Sequence, residues 1–289
     1  MSDIFKDENI YPYQGKIKEH FKGFYDAAFI AFIPFFQIDS QTNNKVSLKK
    51  SKLLSHEEAV QEFEFLKDLP KANRQIYSYK NDEYPSNETI FLKGKAISWN
   101  KVVTGSGFTD YAELNKALRT SIGALNNNYA RPDLLEKLNA FTDKKSIYHP
   151  TEGTFDMLSK VSIYKTFQFF RKPQIVITDE FYQQTFSINL DKLSEFEFCN
   201  QINFKDYYLY SADFELLFTV EWDSFFFIIA TDSKKMEQLI ESKLFEGFLC
   251  MMRQIIIGII WIKSKRMVVT SQNLISIFTC LNLLFLEIS

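Results

Sequence analysis

The sequence predicts an α+β protein built on a largely antiparallel sheet with helices packed on it, and three features of the 289 residues predict it. Helical periodicity dominates from about Ser55 to Phe170, and alternation with a period of two follows Pro173. Two apolar runs near the end, Phe214–Val220 and Phe225–Ala230, are joined by a four-residue turn, Glu221-Trp222-Asp223-Ser224. Helices first and hairpins later imply segregated helices and an antiparallel sheet rather than alternating βα units. Internal repeats and Pro/Gly/Ser linkers are both missing from the sequence, which predicts a single domain over 1–248.

The elements follow in order. Ala28–Ile38 (AFIAFIPFFQI) is apolar and aromatic, as a buried strand would be, with Pro34 implying an edge or bulge. Asp39–Lys52 is a polar loop. Ser55 starts a helix and Glu58 reaches back in a capping box, after which Ala59, Val60, Phe63 and Leu66 recur at helical spacing and Pro70 follows. Asp110 and Glu113 repeat that signature before Tyr111, Leu114, Leu118, Ile122 and Leu125, the strongest amphipathic face in the chain and one expected to bury against the sheet. Pro132 suits the first turn of a helix through about Phe141. A further helix is expected over Thr154–Phe170 with Thr154 as its cap, then a strand over Gln174–Thr178. Ser233 opens a helix bearing Met236, Leu239, Ile240 and Leu244, and Phe245–Phe248 begins one more strand.

Composition excludes several function classes. The net charge of −2 gives no global attraction to nucleic acid or anionic lipid, and no basic aromatic stripe compensates. Cys199, Cys250 and Cys280 form neither a metal-ligand spacing nor an even disulfide framework, which fits a reducing cytoplasm. The first residues, MSDIFKDENIYPYQGK, lack the apolar stretch of a secretory signal. No cofactor fingerprint is present: TGSGF, Thr104–Phe108, has two glycines but neither the Lys-Ser/Thr of a phosphate loop nor a third glycine.

Chemistry concentrates in a few places. YHPTEGTFD brings His149, Glu152 and Asp156 together in sequence, and Asp179-Glu180 lies at a strand end. One imidazole and several carboxylates are the parts of an acid–base or metal-assisted hydrolase; the same residues also suit a solvated loop, a helix cap and a strand exit. The turn Trp222-Asp223 sets an aromatic beside an acid, a contact for a protein partner or, alternatively, an indole folded back onto the sheet. His20 and His56 are isolated and read as surface residues.

Three stretches carry a resemblance: SWNKVVTGSGFTDYAELNKALRTSIGALNNNYARPDLLEKL, YHPTEGTF and FTVEWDSFFFIIATD, with LFEGF after the last. Over roughly Ala28–Phe248 the chain resembles a family of uncharacterised proteins from Gram-positive bacteria, catalogued as a domain of unknown function (domain of unknown function 2711). The resemblance implies a bacterial cytoplasmic protein, supplies no catalytic residue, and implies a polar ending after EGF with a Thr, a His and a Trp.

The sequence departs from that ending. From Leu249 onward it holds four of the chain's 34 basic residues, one of its 36 acids and none of its 14 tyrosines. Met267–Leu286 is an uncharged run that could span a bilayer behind Lys263, Lys265 and Arg266, making a tail-anchored protein, although seven polar residues interrupt it. A shifted reading frame accounts for the tail better. AT-rich codons compatible with FLCMMRQIIIGIIWIKSKRMV, read from the third base, encode a polar peptide with a His and a Trp. The expected division is therefore 1–248 as the domain and 249–289 as a frame-shifted tail. For function, the sequence points first to a cytoplasmic, non-enzymatic protein-binding module of the immunity or antitoxin type, and second to the hydrolase.

Overall fold

The strands after Pro173 assemble with Ala27–Phe32 into one large sheet, and the helices between Pro34 and Pro150 fall in a separate unit with small two-stranded sheets. The computed structural model describes residues 9–13, 15–39, 52–62, 76–78, 84–125 and 128–250. They divide between two compact units, one within Met1–Ile33 and Thr151–Ser289, the other within Pro34–Pro150. Along the chain, α1 (Ile17–His20) and β1 (Ala27–Phe32) belong to the first unit. The second unit follows as β2 (Phe35–Ile38), β3 (Lys52–Leu54), α2 (His56–Glu62), β4 (Ile76–Ser78), α3 (Asn87–Lys93), β5 (Gly94–Ile97), α4 (Trp99–Ser106), α5 (Tyr111–Ser121) and α6 (Pro132–Lys145). The first unit then resumes with α7 (Met157–Phe169), β6 (Gln174–Asp179), β7 (Thr185–Asn189), α8 (Glu195–Gln201), β8 (Asp206–Ser211), β9 (Leu216–Val220), β10 (Phe226–Thr231), α9 (Ser233–Ser242) and β11 (Gly247–Leu249). The α+β class and the antiparallel sheet are as the sequence predicts.

The first unit is organised by a seven-stranded sheet in the order β11-β1-β10-β9-β8-β6-β7, with every pairing antiparallel. β1, β8 and β9 are buried at every residue, so both faces of the central strands are covered. Continuous apolar runs are what such strands require, since neither side meets water. On one face Phe218 and Phe227 meet Phe167 of α7, Phe155 and Phe245 at ring separations of 5.3–6.1 Å.

Pro34 acts more strongly than a bulge. β1 stops at Phe32 and β2 starts at Phe35 in a different sheet, where Phe35 pairs with Ile97 and Ile38 with Gly94. A residue without an N–H cannot continue a ladder, and here the chain leaves one unit for the other. β1 itself is an interior strand between β10 and β11.

In the second unit, the capping box at Ser55 forms where the sequence places it, and the cap at Asp110 forms with its reciprocal bond displaced from the cap residue's own N–H. Ser55 Oγ accepts from the Glu58 N–H at 3.2 Å and Glu58 accepts from the Ser55 N–H at 2.8 Å. Asp110 accepts from the N–H groups of Ala112 and Glu113, while Glu113 reaches one residue further, to the Thr109 N–H at 2.8 Å. Along α5 and the turn that follows it, Leu114, Leu118 and Leu125 are buried, and Tyr111 and Ile122 are half-buried, the helix ending at Ser121 before the last two of the predicted face. The expectation that this face meets the sheet is corrected: α5 packs on α4 and α6. TGSGF is the end of α4, where Gly107 at φ +70° donates its N–H to the carbonyls of Val103 and Thr104. A Cβ on Gly105 would stand 2.1 Å from Cζ of Phe141, so the Phe141 ring of α6 lies directly on α4 at this glycine and would have to move for any larger residue.

The C-terminal residues that are described belong to the sheet. Leu249 pairs with Phe29, and the buried Cys250 donates its N–H to the Ala28 carbonyl at 2.8 Å. Residues 251–289, with Met267–Leu286 and Cys280, lie outside the described residues, as do Phe63 and Leu66. Among the described residues no helix is long and apolar enough to cross a membrane.

Two substitutions test the packing of the second unit by thermal unfolding. Leu118→Ala should cost ~2–5 kcal/mol, the range for emptying a packed leucine site. Gly105→Ala should cost ~1–3 kcal/mol because Phe141 must leave its position. An unchanged melting temperature for either would place that residue on the wrong face.

Candidate functional site

Antiparallel pairing brings alternate strand ends together. At one end of the large sheet, β6 finishes at Asp179, β8 begins at Asp206, and β9 turns into β10 through Glu221–Phe225. The Asp179 carboxylate accepts three backbone N–H groups, from Phe181 at 3.2 Å, Gln183 at 2.8 Å and Gln184 at 3.2 Å. That grip closes the turn before β7, with Tyr182 left-handed at φ +57°, and sets Glu180 and Phe181 outward. The next loop is held in the same way, by the Asn203 N–H on Asp206 at 2.7 Å. The Glu180 N–H donates to the Lys205 carbonyl at 2.9 Å and ties the two loops together.

The hairpin tip completes this end. Asp223 sits at φ +55°, and the Gly153 N–H donates to the Ser224 carbonyl at 2.8 Å. Gly153 is itself left-handed at φ +59°, and a Cβ there would stand 3.1 Å from Cα of Trp222. Glycine thus lets residues 151–154 lie against the hairpin. The Trp222 indole is not folded away: it is exposed, with Nε1 donating to the Glu180 carboxylate at 2.5 Å. Tyr207 also hydrogen-bonds Glu180, and burial first, then that carboxylate, raises the Tyr207 hydroxyl pKa.

A row of tyrosines lies beneath. Tyr182 stacks on Tyr208 at 4.9 Å, the Tyr13 and Tyr208 hydroxyls are 3.3 Å apart, and the Ile10 N–H donates to the Tyr182 hydroxyl at 3.2 Å. Tyr11 is buried beside Glu221; burial and then that carboxylate raise its pKa. Burial, and then hydrogen bonds with Tyr13 and Tyr182, raise that of Tyr208. Raised pKa values keep the Tyr11, Tyr207 and Tyr208 hydroxyls neutral, as parts of a rigid platform.

The residues singled out in the sequence have local structural partners. His149 is in the second unit, with Nε2 3.0 Å from the Thr142 hydroxyl and its ring edge-on to Phe35 at 5.6 Å. Asp156, rather than Thr154, caps α7: its Oδ1 accepts the Ser159 N–H at 2.8 Å. Burial raises the Asp156 pKa against those hydrogen bonds. Asp179 holds the turn described above, and Glu152 lies in the loop against the hairpin. Burial raises the Glu152 pKa, and the Asp223 charge adds to the rise. Among the described residues no group of three or more His, Cys, Asp or Glu side chains could hold a metal ion.

Sequence reading missed the tyrosine row and a buried lysine. Lys160, one turn into α7, donates from Nζ to the Ile202 carbonyl at 2.7 Å, near Asp156, Asp206 and Cys199. Burial lowers the Lys160 pKa and pushes the Cys199 thiol up to about 12. No local pattern marks a helical lysine as buried; the run DYYLYS did offer a signal for the tyrosines, since a strand this rich in hydroxyls must face partners.

These features define an α+β protein whose large antiparallel sheet ends in a rim of aromatic and acidic side chains. A family model described as Protein of unknown function (DUF2711) matches residues 13–256, and the chain belongs to that family. The match extends past Phe248. The chain is also 46% identical over 76 residues to a protein of Bacillus subtilis (strain 168) named "Uncharacterized protein YwbB". That stretch is 25% of this chain and a third of the relative's length (33%). No solved structure matches.

Removing the carboxylates tests the structural roles assigned to them. Asp179→Ala should cost ~1–3 kcal/mol, because partly buried N–H groups lose their acceptor. Asp156→Ala should cost more than the ~1 kcal/mol of a lost cap, because the buried Lys160 also loses an opposite charge, and Asp156→Ser should recover the cap's share only, since serine also caps. Denaturant unfolding checks both, and equal stability of Asp156→Ala and Asp156→Ser would remove the capping role.

Proposed function

We propose that this protein is a non-enzymatic, cytoplasmic protein-binding module of the immunity or antitoxin type, docking through the aromatic end of the sheet. One observation supports the reading above the others: Tyr13 (49% exposed), Phe181 (61%), Phe204 (67%) and Trp222 (61%) all project from this one end. Exposed large aromatics are ordinary singly and informative in a group. Trp, Tyr and Phe supply much of the binding energy at protein interfaces, since each offers a large rigid surface with few rotamers to freeze. The rim is also preorganised. Its loops are short, and Asp179, Asp206 and the Gly153–Ser224 hydrogen bond hold them before any partner arrives.

The hydrolase reading has less support. Asp156 and Asp179 spend their oxygens on backbone N–H groups, and His149 engages Thr142. The buried thiols Cys199 and Cys250, both outside any disulfide, suit a reducing cytoplasm.

The test is photo-crosslinking in the host cell. A benzophenone amino acid placed at Phe181 or Phe204 should give one discrete protein adduct, and Trp222→Ala should reduce its yield about tenfold, the loss of a strong anchor. The same probe at the exposed Phe169, near the end of α7, should give none. Labelling at Phe169 alone, or at no position, would overturn the docking surface.

A further inference from the structure

The two ends of the large sheet differ in charge. At the end opposite the aromatic rim two lysines bridge three carboxylates: Lys172 bridges Asp213 and Glu215, and Lys235 bridges Glu215 and Asp232. Among the described residues the rim carries a larger excess of acids. The segments that build it, 9–13, 151–154, 180–184, 202–205 and 221–225, carry Glu152, Glu180, Glu221 and Asp223 against the single Lys205. Burial first, and then the charge of Asp223, favours the neutral form of Glu152. A cation between the two carboxylates would reverse the effect of Asp223. The lysine among these described segments shows how this surface receives a cation: Lys205 Nζ lies 5.7 Å from the centroid of the exposed Phe204 ring. Aromatic faces attract cations, and carboxylates beside the rings reinforce the attraction.

We propose that the partner offers this rim a basic segment, a peptide stretch bearing Lys or Arg beside apolar side chains. This rests on the docking reading above and names its occupant. Apolar parts of the segment would lie on Phe181, Phe204 and Trp222, while its cationic heads would meet Glu152, Glu180 and Asp223. A polyanion such as nucleic acid or an acidic lipid headgroup would meet like charge. Electrostatic complementarity of this kind raises the association rate and rejects wrong partners more than it adds affinity. The interaction should therefore weaken with salt, and also as falling pH protonates Glu152, whose raised pKa brings that loss on above its ordinary 4.5.

Fluorescence anisotropy with defined probes on the full chain tests the occupant. Two labelled peptides of equal length would be compared, one alternating Lys/Arg with Leu, the other alternating Glu with Leu. The cationic peptide should bind at least about tenfold more tightly, equivalent to about 1.4 kcal/mol. Its affinity should fall about tenfold in a Glu152→Gln/Asp223→Asn double variant and several-fold between low and high salt. Asparagine tolerates the left-handed backbone of position 223, and an unchanged melting temperature would confirm the fold. Equal binding of both peptides, full affinity in the double variant, or no binding of the cationic peptide would each overturn the basic occupant. The docking surface is judged separately, by the crosslinks at Phe181 and Phe204, so the two ideas can fail independently.

Discussion

Two-sided burial of the central strands governs the rest of the first unit. β9 exposes none of its five residues, LLFTV, to water, and β1 none of its six, AAFIAF. A strand in that position needs apolar side chains at consecutive positions and a cover on each face. The cover on one face comes from α7 and the segments around Phe155 and Phe245. β1 is far in sequence from its partners, β10 and β11, so the sheet closes only when the chain's early strand returns to its late ones. Residues 34–150 are inserted between, and Pro34 marks the point of departure. β11 then shields what would otherwise be an edge at β1, with Gly247 allowing its backbone to come so near that a Cβ would stand 1.8 Å from the Ile30 carbonyl oxygen. An uncovered β1 would expose an apolar ladder suited to pairing with other chains.

Local chemistry made some of this legible in the sequence. The hairpin at Glu221–Ser224, the caps at Ser55 and Asp110, and the helix opening at Pro132 all rest on residues within a few positions of each other. Their physics is short-range, so sequence suffices. Long-range placement was not legible. Apolar spacing along α5 identified its buried face but could not say whether helices or a sheet covered it. Similarly, AFIAFIPFFQI reads as one interrupted strand, while its halves pair with Phe226–Thr231 and Gly94–Ile97 in different units. The cap of α7 is Asp156 and not Thr154, two residues earlier; both residue types cap helices, and aspartate is the stronger of the two. Of the rim, only Trp222, Asp223, Glu152 and the Asp179-Glu180 pair stood out in sequence. Tyr13, Phe181 and Phe204 come from three separate segments that only strand pairing brings to one end.

The platform under the rim is stiffened from within. Lys160 projects from α7 to the Ile202 carbonyl, just before the loop that carries Phe204 and Lys205. Burying an ammonium is costly unless it has partners. Asp156, at the start of the same helix, and Asp206, at the start of β8, supply the opposite charges. The arrangement therefore couples the cap of α7, the entrance to β8 and the 202–205 loop. A rearrangement of any one would leave a buried charge uncompensated, a penalty well above that of a surface ion pair.

Exposed aromatics on a rigid support and a surplus of carboxylates have related consequences for the free protein. Phe181, Phe204 and Trp222 leave apolar surface in water, which by itself favours self-association. The neighbouring Glu152, Glu180, Glu221 and Asp223 put like charges on any two rims brought face to face. Like-charge juxtaposition costs several kcal/mol at an interface, enough to oppose the gain from burying a few rings. On the proposed reading, the carboxylates that would oppose pairing of this surface with its own copy would also favour a cationic one. Self-rejection and selection for a basic partner would then be two results of one charge distribution, set by residues that strand order alone brings together.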